Sequence, residues 1–168
     1  MRPIQISAPG LVALRRGFEA AADYTQKQLL DGMSEAVALL EREAKDAMPA
    51  VSGLTRGSIT SDTFSTPAGV LGVVGSASIA AAAVELGTRP HMPPVAPIAR
   101  WVQEKLGVPA DRAHGVAFAV ARKISRVGTK AQRPFERTLR RQMGALTRIF
   151  EQRAQNVADH LAALGGGA

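Results

Sequence analysis

The chain contains no cysteine, and its aromatic complement is one Trp, one Tyr and five Phe. Without cysteine there is no disulfide framework, no thiolate metal site and no cysteine nucleophile. Imidazole chemistry rests on His91, His114 and His160, which lie far apart in sequence, so a zinc site has little support and neither a metal nor a cofactor is expected. The opening residues MRPIQISAPG lack the apolar run of a secretory signal, and the expected compartment is a cytoplasm.

Charge is also missing locally, since no charged residue occurs between Asp62 and Glu85. Pro67, Gly69, Gly72 and Gly75 interrupt that window, and the remainder is mostly Ala and Ser. Transfer of such a segment into lipid gains little, so it is read as strand, turn and short helix, with no membrane span.

What is present is a length of 168 residues and a net charge of +7. The length suits a single domain over residues 1–164, with a flexible Gly-rich tail at 165–168. Charge is polarised: residues 1–84 carry a net −1, and residues 85–168 carry +8. Between Arg112 and Arg148 ten cations face a single acid, Glu136. Such a block is a polyanion-facing surface, a contact with an acidic partner, or a solvated helix face.

Periodicity organises the rest. Leu11, Leu14, Phe18, Ala21, Thr25, Leu29, Met33, Ala36, Leu40, Ala44 and Ala47 recur at steps of three and four, the stripe of one long amphipathic helix that Pro49 stops. Gly17 and Gly32 are places where it would bend. Leu54–Thr60 and Val70–Val74 are the strand candidates of a small antiparallel sheet, and Ser78–Leu86 is a short helix or irregular strand ended by Gly87. The proline-rich TRPHMPPVAP is a rigid, extended loop. Helices then follow over 97–106, with Gly107 as C-cap, and over 112–127, ended in the same manner by Gly128. Pro134 opens a last helix whose apolar stripe runs from Phe135 to Leu164. The fold class is α+β: a long N-terminal helix, a small antiparallel β-sheet, short helices and a long C-terminal helix.

No G-x-S-x-G, phosphate-binding loop or dinucleotide fingerprint occurs, and Glu41 and Glu43 sit with Arg42 and Lys45 on a solvated helix face. An enzyme is therefore not expected. Arg122, Lys123, Arg126 and Lys130 recur at helical steps that track phosphates, yet no aromatics interleave with them for base stacking. Phe118 and Phe135 read as core. A lining that tolerates passing DNA fits better than sequence-specific recognition.

Several segments, taken in order, form a pattern. They are S-G-x-L-x-x-S-I (Ser52, Gly53, Leu54, Ser58, Ile59), a Gly-Val strand ending in Gly-Ser, A-V-E-L-G-T-R-P-H at Ala83–His91, and a Trp-bearing helix. A-R-K-I-S-R-V-G-T-K at Ala121–Lys130 and R-P-F-E-R-T-L at Arg133–Leu139 complete it. The order resembles the tail-completion, or head-tail joining, family of tailed bacteriophages and prophages, over about residues 30 to 140. The chain departs from that pattern at Ala83, where the family carries an aromatic, and in the length of its last helix.

The resemblance implies a small α+β structural subunit of the virion. It would form a homo-oligomeric ring, a hexamer rather than a dodecamer, at the neck between the connector and tail tube proteins, with the genome passing through and touching it non-specifically. Assembly would take place in the bacterial cytoplasm. On this reading Glu85, Thr88, Arg89, His91, Pro93 and Pro94 are candidates for a subunit or partner interface. Arg122, Lys123, Arg126, Lys130 and Arg133 are candidates for the lumen or a DNA-facing surface. Trp101, on a shared helix side with Ile98 and Val102, is the expected core anchor. The competing reading is a non-enzymatic DNA-binding or regulatory module that uses the basic 112–148 region.

Overall fold

A computed structural model describes residues 9–49, 53–67 and 69–165. Its elements, in chain order, are α1 (Pro9–Ala47), α2 (Gly53–Gly57), β1 (Ile59–Thr66), β2 (Gly69–Ser76), α3 (Ile79–Leu86), α4 (Val95–Leu106), α5 (Ala110–Val127) and α6 (Pro134–Gly165). This is the α+β architecture expected, with β1 and β2 forming a two-stranded antiparallel sheet. Among the described residues no helix is long and apolar enough to cross a membrane. Ser52 and residues 166–168 of the tail lie outside the described residues.

The first strand differs from expectation. Residues 53–57 wind into the short helix α2 before β1 starts at Ile59. Local hydrogen bonds hold that turn: the Ser58 amide donates to the Leu54 carbonyl at 3.0 Å, and the Ser58 hydroxyl donates to Thr55 at 2.8 Å. A serine that can close a turn through its own side chain competes with strand pairing. The expected bends at Gly17 and Gly32 do not interrupt α1. Gly32 instead makes room for a neighbour, since a Cβ there would lie 2.9 Å from Arg153 Cγ.

The chain divides into two compact units, each assembled from separate stretches. Unit 1 comprises Met1–Ala38, Asp62–Val73 and Met143–Ala168; unit 2 comprises Leu39–Ser61 and Val74–Gln142. In unit 1 the hairpin packs on α1 through Gly72, where a Cβ would meet Val37 Cγ1 at 2.4 Å and Met33 Sδ at 2.6 Å. Buried Gln28 accepts from Asn156 at 3.2 Å, Arg153 pairs with Glu35 at 2.7 Å, and Tyr24 stacks on His160. The other hairpin face, bearing Phe64, Leu71 and Val73, is exposed.

Unit 2 has a core of Ala44, Met48, Ile59 and Ala81, against which Val74, Val84 and Phe135 pack. Helices α4 and α5 pack on each other, and Val102, Ala113, Ala117 and Ala121 are fully buried. The alanines recur every four residues, so one face of α5 is smooth enough for close helix approach. Glu41 is held below the usual carboxylate range by its bond to Lys45 and by the Ser61 hydroxyl at 2.5 Å.

Candidate partner and assembly surfaces

The first site is built around the end of α3. Helix α6 opens at Pro134, which has no amide hydrogen to satisfy. The next two amides, of Phe135 and Glu136, donate to the two carboxylate oxygens of Glu85 at 2.9 and 3.2 Å. The Arg137 amide then reaches Arg133 in the first helical bond. Both amides that Pro134 leaves to be capped in the first turn are accounted for, by a carboxylate fifty residues upstream. Its negative charge also complements the positive end of the helix dipole.

Three residues on, Thr88 and Thr129 form an antiparallel bridge, each amide donating to the other's carbonyl, at 3.1 and 3.2 Å. The two hydroxyls meet at 3.1 Å, and the Gln132 amide donates to Val84. Gly87 and Gly128 flank the bridge with φ of 71° and 70° and extended ψ, a region open to glycine alone. Gly128 therefore ends α5 differently from Gly107, which closes α4 in the left-handed conformation expected of a C-cap. The stretches 83–91, 121–130 and 133–139, separate in sequence, are thus joined along one seam of unit 2.

This geometry divides the interface candidates. Glu85 and Thr88 are engaged within their own chain, while Arg89, His91 and Pro94 are exposed and Pro93 is half-buried. His91 Nδ1 lies 2.9 Å from the Arg89 carbonyl, which folds the loop tip on itself. Periodicity could not find the capping role of Glu85; an acid in an apolar stretch was its only trace. Glu85→Gln should lower stability by about 1–2 kcal/mol, because the amide offers one acceptor to two donors and turns its NH2 toward the other. A urea unfolding midpoint equal to that of the parent chain would show that the cap is idle.

The second site is the outer face of α5. Arg122, Lys123, Arg126 and Lys130 are exposed, and among the described residues none has an ion-pair partner. Arg133 differs: it pairs with Glu136 at 2.9 Å, has a positive φ of 52°, and is the residue from which α6 departs. Arg140 shares the same carboxylate at 2.7 Å. Phe118, expected in the core, is 48% exposed on the cationic face. Phe118 falls beside the stripe of buried Ala113, Ala117 and Ala121, about 100° around α5 from its middle residue, which puts the ring at the border of the cationic face.

Trp101 is half-buried, and its neighbour Val102 is the residue sealed in the core. Trp101→Ala should accordingly cost about 2 kcal/mol rather than the 3–5 of a fully buried indole. Thermal unfolding would measure it, and a loss above about 4 kcal/mol would mean that the ring is fully enclosed.

Among the described residues no cluster of His, Asp and Glu is arranged to hold a metal ion. No protein family, curated protein or solved structure matched the chain.

Proposed function

We propose that this chain is a structural virion protein of a tailed phage, forming a ring at the head-tail neck through which DNA passes. The observation that carries the reading is the distribution of apolar residues. Seven of the eleven buried apolar residues are alanine, whereas sixteen large apolar side chains are exposed among the described residues. Leu54 and Ile79 are exposed above 80%, and Phe64, Leu71 and Val73 share one open face of the hairpin. A chain that spends its large apolar side chains on the surface and alanine on the interior has surfaces made for neighbours.

Two further features support the reading. Three of the motifs that resemble the tail-completion family, at 83–91, 121–130 and 133–139, form one connected seam. The hairpin has two strands and two free edges among the described residues, an arrangement that is marginal alone and gains from pairing or packing with another copy. Where such contacts are head-to-tail and the rotation between copies closes, they form rings. The neighbouring connector and tail tube proteins would meet the exposed loop at Arg89–Pro94.

Size-exclusion chromatography with light scattering tests this directly. The expected mass rises with concentration toward about six times the 17.6 kDa of the chain. A single mass of one chain up to the solubility limit would remove the ring. The second reading, a DNA-binding or regulatory module, is favoured by the unpaired cations of α5 and predicts a monomer or dimer.

A further inference from the structure

The outer face of α5 is not only basic. Gly115 and Ala119, one turn apart, lie at its centre, with Phe118 along one border and Lys123 along the other; Arg122 and Arg126 continue the central line toward the C-terminus. All six are exposed, and together with Val127, 67% exposed, they line one shallow depression. The face is therefore graded, small and apolar over its first turns and cationic over its last. Among the described residues no carboxylate neutralises Arg122, Lys123 or Arg126, and the nearest acid on the helix, Asp111, stands beside Arg112 at its start.

We propose that this face is a docking site for an acidic amphipathic helix of a partner protein. Gly115 and Ala119 allow a helix backbone to come close, as small residues do wherever helices cross tightly. Phe118 then covers an apolar side chain of the incoming helix, whose carboxylates meet the three cations. Acidic residues favour the first turn of a helix, so the partner runs antiparallel to α5, with its acidic N-terminus over Arg122 and Arg126 and its apolar turns over Gly115 and Ala119. The face from Gly115 to Val127 spans about 18 Å, enough for three turns. A DNA duplex satisfies only half of this surface: its phosphates pair with the cations, while Phe118 faces a polar backbone and gains nothing.

The proposal deepens the neck reading by giving the chemistry of one neighbour, and it can fail independently of it. The probe is an acetylated, fluorescent synthetic helix of about sixteen residues, with Glu in its first two turns and a Leu/Ala face after them. Three ligands accompany it: the same residues with the Glu at the C-terminal end, a version with Lys for Glu, and a random-sequence DNA duplex. Binding is read by anisotropy on the full chain, with light scattering run in parallel on the same samples.

The acidic helix should bind about tenfold more tightly than its end-reversed form, and the Lys version should not bind. Arg122→Glu with Arg126→Glu should weaken binding at least tenfold, and Phe118→Ser about threefold with its salt dependence unchanged. These residues are exposed, and unchanged unfolding midpoints would show that the variants remain folded. Equal binding of the two Glu orders overturns the proposal. So does an indifferent Phe118→Ser together with displacement of the peptide by duplex at physiological salt, which would make the face a polyanion lining. A chain that stays monomeric yet binds the peptide removes the ring and leaves the docking site.

Discussion

Gly128→Ala is expected to destabilise unit 2 by about 3–5 kcal/mol, the largest single-residue effect foreseen for this chain. Two costs combine. The backbone at Gly128 has φ 70° and ψ −159°, a region in which any Cβ is strained by a few kcal/mol. A Cβ there would also stand 2.0 Å from the Thr88 carbonyl oxygen and 2.9 Å from the Arg89 carbonyl carbon. Both obstacles are backbone, so no side chain can swing away; relief requires opening the Thr88–Thr129 bridge. Opening it would in turn free the Gln132 amide and loosen the approach of Glu85 to α6.

Gly87→Ala should behave alike, since its Cβ would meet the Thr129 carbonyl oxygen at 2.5 Å. Gly107 supplies the control. It too has a positive φ, 63°, but nothing lies within 4 Å of the added Cβ, so alanine there costs only the intrinsic strain, about 1–2 kcal/mol. Urea unfolding of the three variants checks the contrast. Equal midpoints for Gly107→Ala and Gly128→Ala would show that the seam is not tightly closed.

The second large effect concerns salt. Binding to random duplex DNA through Arg122, Lys123, Arg126 and Lys130 should fall about a hundredfold between about 50 and 200 mM salt, since neutralising four phosphates releases counterions with a slope near −3.6. Selected and random duplexes should differ by less than about tenfold. The face offers no base-reading geometry, and the only exposed aromatic on it is Phe118. On the proposed ring reading, a genome that must pass through is served by contacts that are weak and indifferent to sequence. A duplex preferred a thousandfold, with affinity that survives moderate salt, would instead establish the regulator reading.

Much of this architecture is legible in the chain alone. The apolar stripe at steps of three and four marks α1, and Pro134 and Gly107 mark a helix start and a helix end to the residue. Local sequence decides these because helix periodicity, proline's missing donor and glycine's left-handed freedom act within a few residues. The first strand was less legible: Leu54 to Thr60 has strand composition, but the Ser58 side chain closes a turn and delays β1 to Ile59. The site was legible only in parts. The basic steps of α5 stand out in sequence, whereas their company with Phe118 does not, because an exposed and a buried phenylalanine look alike until the packed face of the helix is known.

Tertiary structure alone decided the roles of Glu85, Thr88, Gly87 and Gly128. Each has its partner forty to fifty residues away, in Thr129, Phe135, Glu136 and the backbone around them. No periodicity records such a pairing. A carboxylate that caps a distant helix, and a glycine that yields to a carbonyl from another segment, are set by how the chain returns on itself. The sequence determined the four longer helices and where they stop; the return of the chain decided that an apparently free acid at residue 85 is bound, because unpaired amides at a helix start draw in whichever carboxylate the fold brings within reach.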